Sequence, residues 1–219
     1  MQIPVRLSAS GRPRGAAAFL ALMALTPCFA QMRAGAAKTK ITPDLNQRAP
    51  VYLAGFEHNR VATKIHDDLY TRCLALVRGQ ERLVMCGVDS IGLFLDDVEK
   101  IRAGARQQIG ADARIMVASL HDHHAPDTMG LWGASVTESG INEGYNQFVI
   151  AGTVQAIVRA VRSAKPATLT LASAHPPELD SFIFDERPPE VRDAEVIALC
   201  AKDSGGKVIG TLVNWANHP

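Results

Sequence analysis

The chain has 219 residues, 47% of them hydrophobic, with 23 Lys and Arg against 22 Asp and Glu. That balance excludes the basic footprint of a nucleic-acid binder and offers no cationic tract for an anionic membrane surface. Once a leader is set aside, the length suits one domain with a substantial core.

Residues 1–30 have the pattern of a secretory signal peptide. Arg6, Arg12 and Arg14 form a basic start, Ala16 to Leu25 is an apolar run too short to span a membrane, and Pro27 precedes the small-residue site ending at Ala30. Cys28 raises the idea of a lipoprotein, but a proline directly before it fits that processing poorly. Cleavage after Ala30 removes three arginines and no acid. The mature chain then carries 20 basic and 22 acidic side chains, a net charge of −2. A periplasmic or secreted protein is expected, with no transmembrane segment in the mature chain. The mature cysteines are Cys73, Cys86 and Cys200, none in a metal-ligand spacing. Cys73 and Cys86 fall in neighbouring apolar segments, so buried thiols and one disulfide are both open.

The elements then read in order. Lys38 to Thr42 is a short strand ended by Pro43 and Asp44, and Tyr52 to Phe56 is an apolar stretch interrupted by Gly55. Leu69–Val77 and Arg82–Val88 are two strands joined by a hairpin at 78–81. Phe94 to Ile109 has apolar residues at helical spacing and stops at Gly110, and Ile115 to Leu120 is a buried strand. A glycine-rich loop over 125–141 precedes a long helix from Asn142 to about Ser163, with an expected apolar stripe at Phe148, Ile150, Val154, Ile157 and Val161. Ala167–Ala174 is a strand and 176–192 a Pro- and acid-rich loop. Ala194–Cys200 and Val208–Trp215 form a last hairpin about the turn at 203–206. Strands alternating with helices, and hairpins among them, predict an α/β fold: a mixed β-sheet with flanking helices and a site at the carboxyl ends of strands.

Three of the seven histidines lie within four residues, His121, His123 and His124, where a strand runs into a loop. In an extended segment His121 and His123 would project to one side about 6.6 Å apart, a geometry suited to a metal ion or an acid–base pair. The last strand repeats the arrangement, delivering His218 at its end. If the two ends converge, His121 and His218 become ligands, with His123 a third ligand or a donor behind them. The HxHxDH pattern of metallo-β-lactamases needs an Asp and a His at 125 and 126, where the chain has Ala125 and Pro126, and HExxH is absent.

Four blocks, in order, resemble the N-terminal catalytic domain of the neutral/alkaline non-lysosomal ceramidases. They are Ala54-Gly55-Phe56; Ile65-His66 leading into Leu69-Tyr70-Thr71-Arg72; His121-Asp122-His123 with Pro126; and Trp215-Ala216-Asn217-His218. The resemblance covers residues 36–219. It implies a zinc hydrolase acting on an N-acyl amide bond of a lipid-like or other small substrate, with His121 and His218 binding Zn2+. It further implies that His123 sits by the scissile carbonyl as a catalytic group, and that Gly55 lines the substrate mouth. In that family a glutamate, a tyrosine and a serine from further along complete the site. The resemblance thus makes 31–219 the N-terminal part of a catalytic domain, inactive alone. Where ceramidases have Thr and then Ser-Gly-Pro around the second histidine, this chain has Asp122, His124 and Ala125, closer to bacterial relatives that share the family name. The scaffold and the metal transfer better than the lipid substrate.

Other residues admit two readings. Trp132 is a substrate-facing lid or a core plug; Arg187 reaches a substrate carbonyl or pairs with nearby acids. Asp122 partners an imidazole or faces solvent, His66 is functional or tethers a strand, and His124 and His175 read as bystanders. The alternative function is a secreted metal- or ligand-binding protein without turnover.

Overall fold

The computed structural model describes residues 31–218; the expected signal peptide lies outside the described residues. Seven strands and two long helices form an α/β fold with one mixed sheet in the order β4-β3-β2-β1-β5-β6-β7. The strands are β1 (Arg33–Lys40), β2 (Tyr70–Arg78), β3 (Glu81–Val88), β4 (Arg114–Ser119), β5 (Lys165–Ala174), β6 (Val196–Asp203) and β7 (Val208–Trp215). All pairings are antiparallel except β3 with β4, which α1 (Leu95–Ile109) connects as a crossover. The helices of the fold are completed by α2 (Glu143–Arg162). No described helix is long and apolar enough to cross a membrane.

The β2–β3 hairpin forms where the two apolar runs and the 78–81 turn predict it, closed by Arg78 opposite Glu81, with their side chains paired at 2.9 Å. Cys73 and Cys86 are directly opposite each other in this pairing, and they are disulfide-bonded. Cys200 is free. Helix α1 buries Ile101, Ala105 and Ile109, one residue per turn, on the sheet. Helix α2 is capped by the Asn142 side chain, which accepts the Tyr145 N–H at 3.0 Å. Its buried stripe is Tyr145, Val149, Thr153, Ala156, Ile157 and Ala160. Phe148, expected on that stripe, is 46% exposed. The helix is rotated so that its smaller residues face β1. At Gly35 of β1 an added Cβ would lie 2.7 Å from the Ala164 nitrogen, so this strand admits α2 only by lacking a side chain there.

Strand β1 starts earlier than the expected Lys38. Its Ala- and Gly-rich first half has weak strand propensity, but it pairs along its full length with β2 and is covered by α2. The β5–β7 unit is joined to β1 at only two residue pairs, Arg33 with Pro166 and Ala34 with Lys165. It therefore bends away and folds over the helix-free face. There Ala34, Leu74 and Ala201 form a second apolar cluster with Leu169, Leu199 and Leu212. A Cβ at Gly210 of β7 would lie 3.2 Å from both Ala36 and Leu74, which locates β7 above β1 and β2. This fold-back carries the end of β7 toward the end of β4.

Candidate metal centre

Strand β4 ends at Ser119, and His121 is the first residue of the loop to leave extended geometry, with φ +59°. The two histidines are therefore not i and i+2 of a strand. A left-handed turn brings their rings to 4.8 Å instead. A non-glycine residue in that region costs on the order of 1–3 kcal/mol and persists only where its surroundings fix it. Here the extension of β3 does so. The Leu120 N–H donates to the Val88 carbonyl (2.9 Å), the Asp122 N–H to the Ser90 carbonyl (3.1 Å), and His121 Nδ1 to the Ile91 carbonyl (2.8 Å).

The last contact determines the tautomer. A carbonyl only accepts, so His121 Nδ1 carries the proton and Nε2 presents a lone pair. That lone pair meets His218, whose Nε2 lies 3.2 Å away. Two nitrogens bound to one tetrahedral zinc at about 2.0–2.1 Å sit about 3.3–3.4 Å apart. The spacing fits a shared cation closely, and the donor set fits zinc in kind. The ring of His123 is 5.0 Å from that of His218, and the ligand atoms of His121, His123 and His218 lie within 4.8 Å of one another.

His123 is half-buried and its Nε2 is buried without a hydrogen-bond partner. Burial, reinforced by the nearby imidazoles of His121 and His218, holds it below the usual histidine range, so it is neutral at neutral pH. An orphaned polar atom facing two imidazoles is what a ligand-binding centre leaves behind. The ring rests on Gly55, where an added Cβ would fall 2.6 Å from His123 Cβ. Phe56 stands edge-on to His123 at 5.3 Å and to His124 at 5.7 Å, with the Arg60 guanidinium over its ring at 4.8 Å. His124 is thus outside the three-histidine group.

The remaining residues are distributed as follows. Asp122 bonds no imidazole; its carboxylate accepts the His124 N–H at 2.8 Å and closes the turn. His66 and His175 are exposed and paired with Asp67 and Asp180. Arg187 is 91% exposed and pairs with Asp185 at 3.6 Å, and with Phe184 and Asn217 it lines a cavity of about 270 Å³ that reaches His218. Trp132 is anchored through its backbone N–H on Asp127 at 2.8 Å, and the cavities that reach His121 and His218 are lined by other residues. A larger groove of about 790 Å³ opens beside His121, floored by Ala36, Met85, Met116 and Leu212 and flanked by Trp215. Sequence reasoning did not find the Ile91 carbonyl, since a backbone acceptor has no residue-type signature.

Family models give no match to the sequence, and neither do curated proteins. Among solved structures, the chain is similar to the crystal structure of neutral ceramidase from Pseudomonas aeruginosa, with a TM-score of 0.68 at 19% identity over 86% of this chain. The fold is ceramidase-like. A structure of ceramidase complexed with C2 gives the same TM-score, identity and coverage. The match takes up 32% and 31% of those two chains, so this chain spans about a third of the ceramidase length.

Proposed function

We propose that residues 31–219 are the N-terminal part of the catalytic domain of an exported, zinc-dependent, ceramidase-like hydrolase that cleaves an N-acyl amide bond in a lipid-like or other small substrate. The observation that carries this reading is the 3.2 Å approach of His121 Nε2 to His218 Nε2, with the far nitrogen of His121 tied to a carbonyl. His121 and His218 hold the zinc. Bound there, zinc supplies Lewis-acid polarisation of an amide carbonyl.

The chain's own groups do the rest. Neutral His123, held against Gly55 and facing its two neighbours, offers Nε2 to accept or donate a proton beside the reacting carbonyl. The apolar groove next to His121 suits an acyl chain, and Gly55, with no side chain, leaves room for the His123 ring beside the site. Arg187 provides a cation beside His218 for a substrate oxygen; Trp132, which lines neither cavity, is left with a structural role in its loop. The Cys73–Cys86 disulfide supports export, since such bonds persist in oxidising compartments. Two imidazoles are a weak zinc set, so these 219 residues alone are expected to lack turnover.

The test is zinc content and N-acyl amidase activity of a full-length form, with His121→Ala and His218→Ala beside it. Loss of zinc in both variants is expected; zinc content unchanged in both would sink the proposal. A protein that holds zinc through these residues, in full length, yet cleaves no N-acyl amide would instead be a secreted metal-binding protein.

A further inference from the structure

We propose that Thr128 is the positioning residue of the histidine centre, acting through the Ser90–Gly92 turn to fix the orientation and tautomer of His121. This rests on the metal reading above for its purpose, while its geometry stands independently. The turn 88–91 provides every hydrogen bond that holds His121 in its left-handed conformation: the Val88 and Ser90 carbonyls take the N–H groups on either side, and the Ile91 carbonyl takes Nδ1. The position of the Ile91 carbonyl therefore determines where Nε2 points. That carbonyl belongs to a loop between β3 and α1 and has no strand partner, so something else must hold it.

Thr128 does so from the next residue. Its hydroxyl donates to the Gly92 carbonyl at 2.6 Å. Thr128 is fully buried, so no water competes for that bond, and an unmade bond there would leave a buried acceptor unpaired. The Thr128 carbonyl in turn accepts from Asn146 Nδ2 at 3.3 Å, which ties the clamp to the first turn of α2. At the other end of the same turn, the Ser90 hydroxyl donates to Ser119, the last residue of β4, at 3.0 Å. The turn is pinned at both ends, by Ser119 from the sheet and by Thr128 from the helix side. Thr128 is the pin next to Ile91. It touches neither zinc ligand and acts only through the backbone.

The experiment compares Thr128→Val, which keeps the volume and removes the donor, with Thr128→Ser, which keeps the donor. In the metal-free chain, 15N-imidazole NMR at fixed pH reads which His121 nitrogen carries the proton; zinc affinity is measured by chelator competition, and thermal unfolding is followed in parallel. Expected is an Nδ1-protonated His121 in the parent chain and in Thr128→Ser, with a mixed tautomer in Thr128→Val. Zinc affinity should fall about 10-fold or more in Thr128→Val and stay within about twofold in Thr128→Ser. A folded Thr128→Val with the parent tautomer and affinity overturns the inference, even if its melting temperature falls. Should Thr128→Val not fold, Thr128→Cys replaces it, and equal tautomer fractions in the Cys and Ser variants overturn the inference. Absence of zinc from the full-length form refutes the metal reading; the tautomer comparison still tests Thr128.

Discussion

Gly55→Ala tests whether His123 is seated on bare backbone. The perturbation has two parts. The first is conformational: Gly55 has φ +94°, a region where an L side chain costs on the order of 1–3 kcal/mol. The second is steric. The new Cβ would meet His123 Cγ most closely and lie 2.6 Å from its Cβ and 2.7 Å from its Nδ1, whereas ordinary contacts begin near 3.4 Å, so the ring must move by about 1 Å. Overpacking of that kind costs roughly 1–3 kcal/mol, offset by about 0.4–1 kcal/mol from the stiffer unfolded chain. The net expectation is a loss of about 2–4 kcal/mol, or roughly 4–16 °C in melting temperature for a chain of this size. Gly206→Ala is the control. Its φ is +80°, with nothing within 4 Å of an added Cβ, so it carries only the conformational part. Thermal and urea unfolding of both variants measures the difference. If Gly55→Ala is no more destabilised than Gly206→Ala, His123 does not rest on Gly55 and the geometry assigned to the centre is wrong.

Two further outcomes follow from buried polar groups. The Tyr145 hydroxyl is buried without a partner, and its ionisation is pushed well above the ordinary tyrosine range by burial, with Asp122 and Asp89 adding to it. Folding therefore excludes the tyrosinate. Stability associated with Tyr145 is complete below pH 10, the ordinary value, and is lost as pH rises beyond it, because only the unfolded chain then releases the proton. Tyr145→Phe should be neutral or slightly stabilising at pH 7 and should lose less stability than the parent between pH 10 and 11; parallel unfolding curves in that range would contradict this. Asp127 is 1% exposed and its carboxylate accepts the N–H groups of Met129, Gly130 and Trp132 at 2.7–2.9 Å. Asp127→Ala should cost about 3 kcal/mol or more by leaving these donors unpaired, with Asp127→Asn in between; an unfolding midpoint unchanged in both would remove Asp127 as organiser of the loop.

Much of the fold follows from local pattern. Two apolar runs and the turn at 78–81 locate the β2–β3 hairpin within a residue, and helical spacing with Gly110 and Asn142 as end signals locates α1 and α2. The errors lie where packing overrides propensity. Strand β1 extends back to Arg33 because α2 and β2 cover small residues that carry little strand signal, and Phe148 is turned out because Gly35 draws the smaller face of α2 inward. Cys73 and Cys86 were identified as neighbours, but only their register opposite one another joins them.

The site divides along the same line. Residue type and element ends suffice to select His121, His123 and His218, because imidazoles at strand termini are a local feature of the chain. Their convergence is not local. It requires β5–β7 to leave the sheet at a two-pair junction and fold over the helix-free face, a contact between residues 97 positions apart. The left-handed conformation of His121 and the proton on its Nδ1 depend on the Val88, Ser90 and Ile91 carbonyls. Backbone acceptors are identical at every residue, so sequence cannot distinguish the ones that matter; tertiary structure does so by placing them within hydrogen-bonding distance.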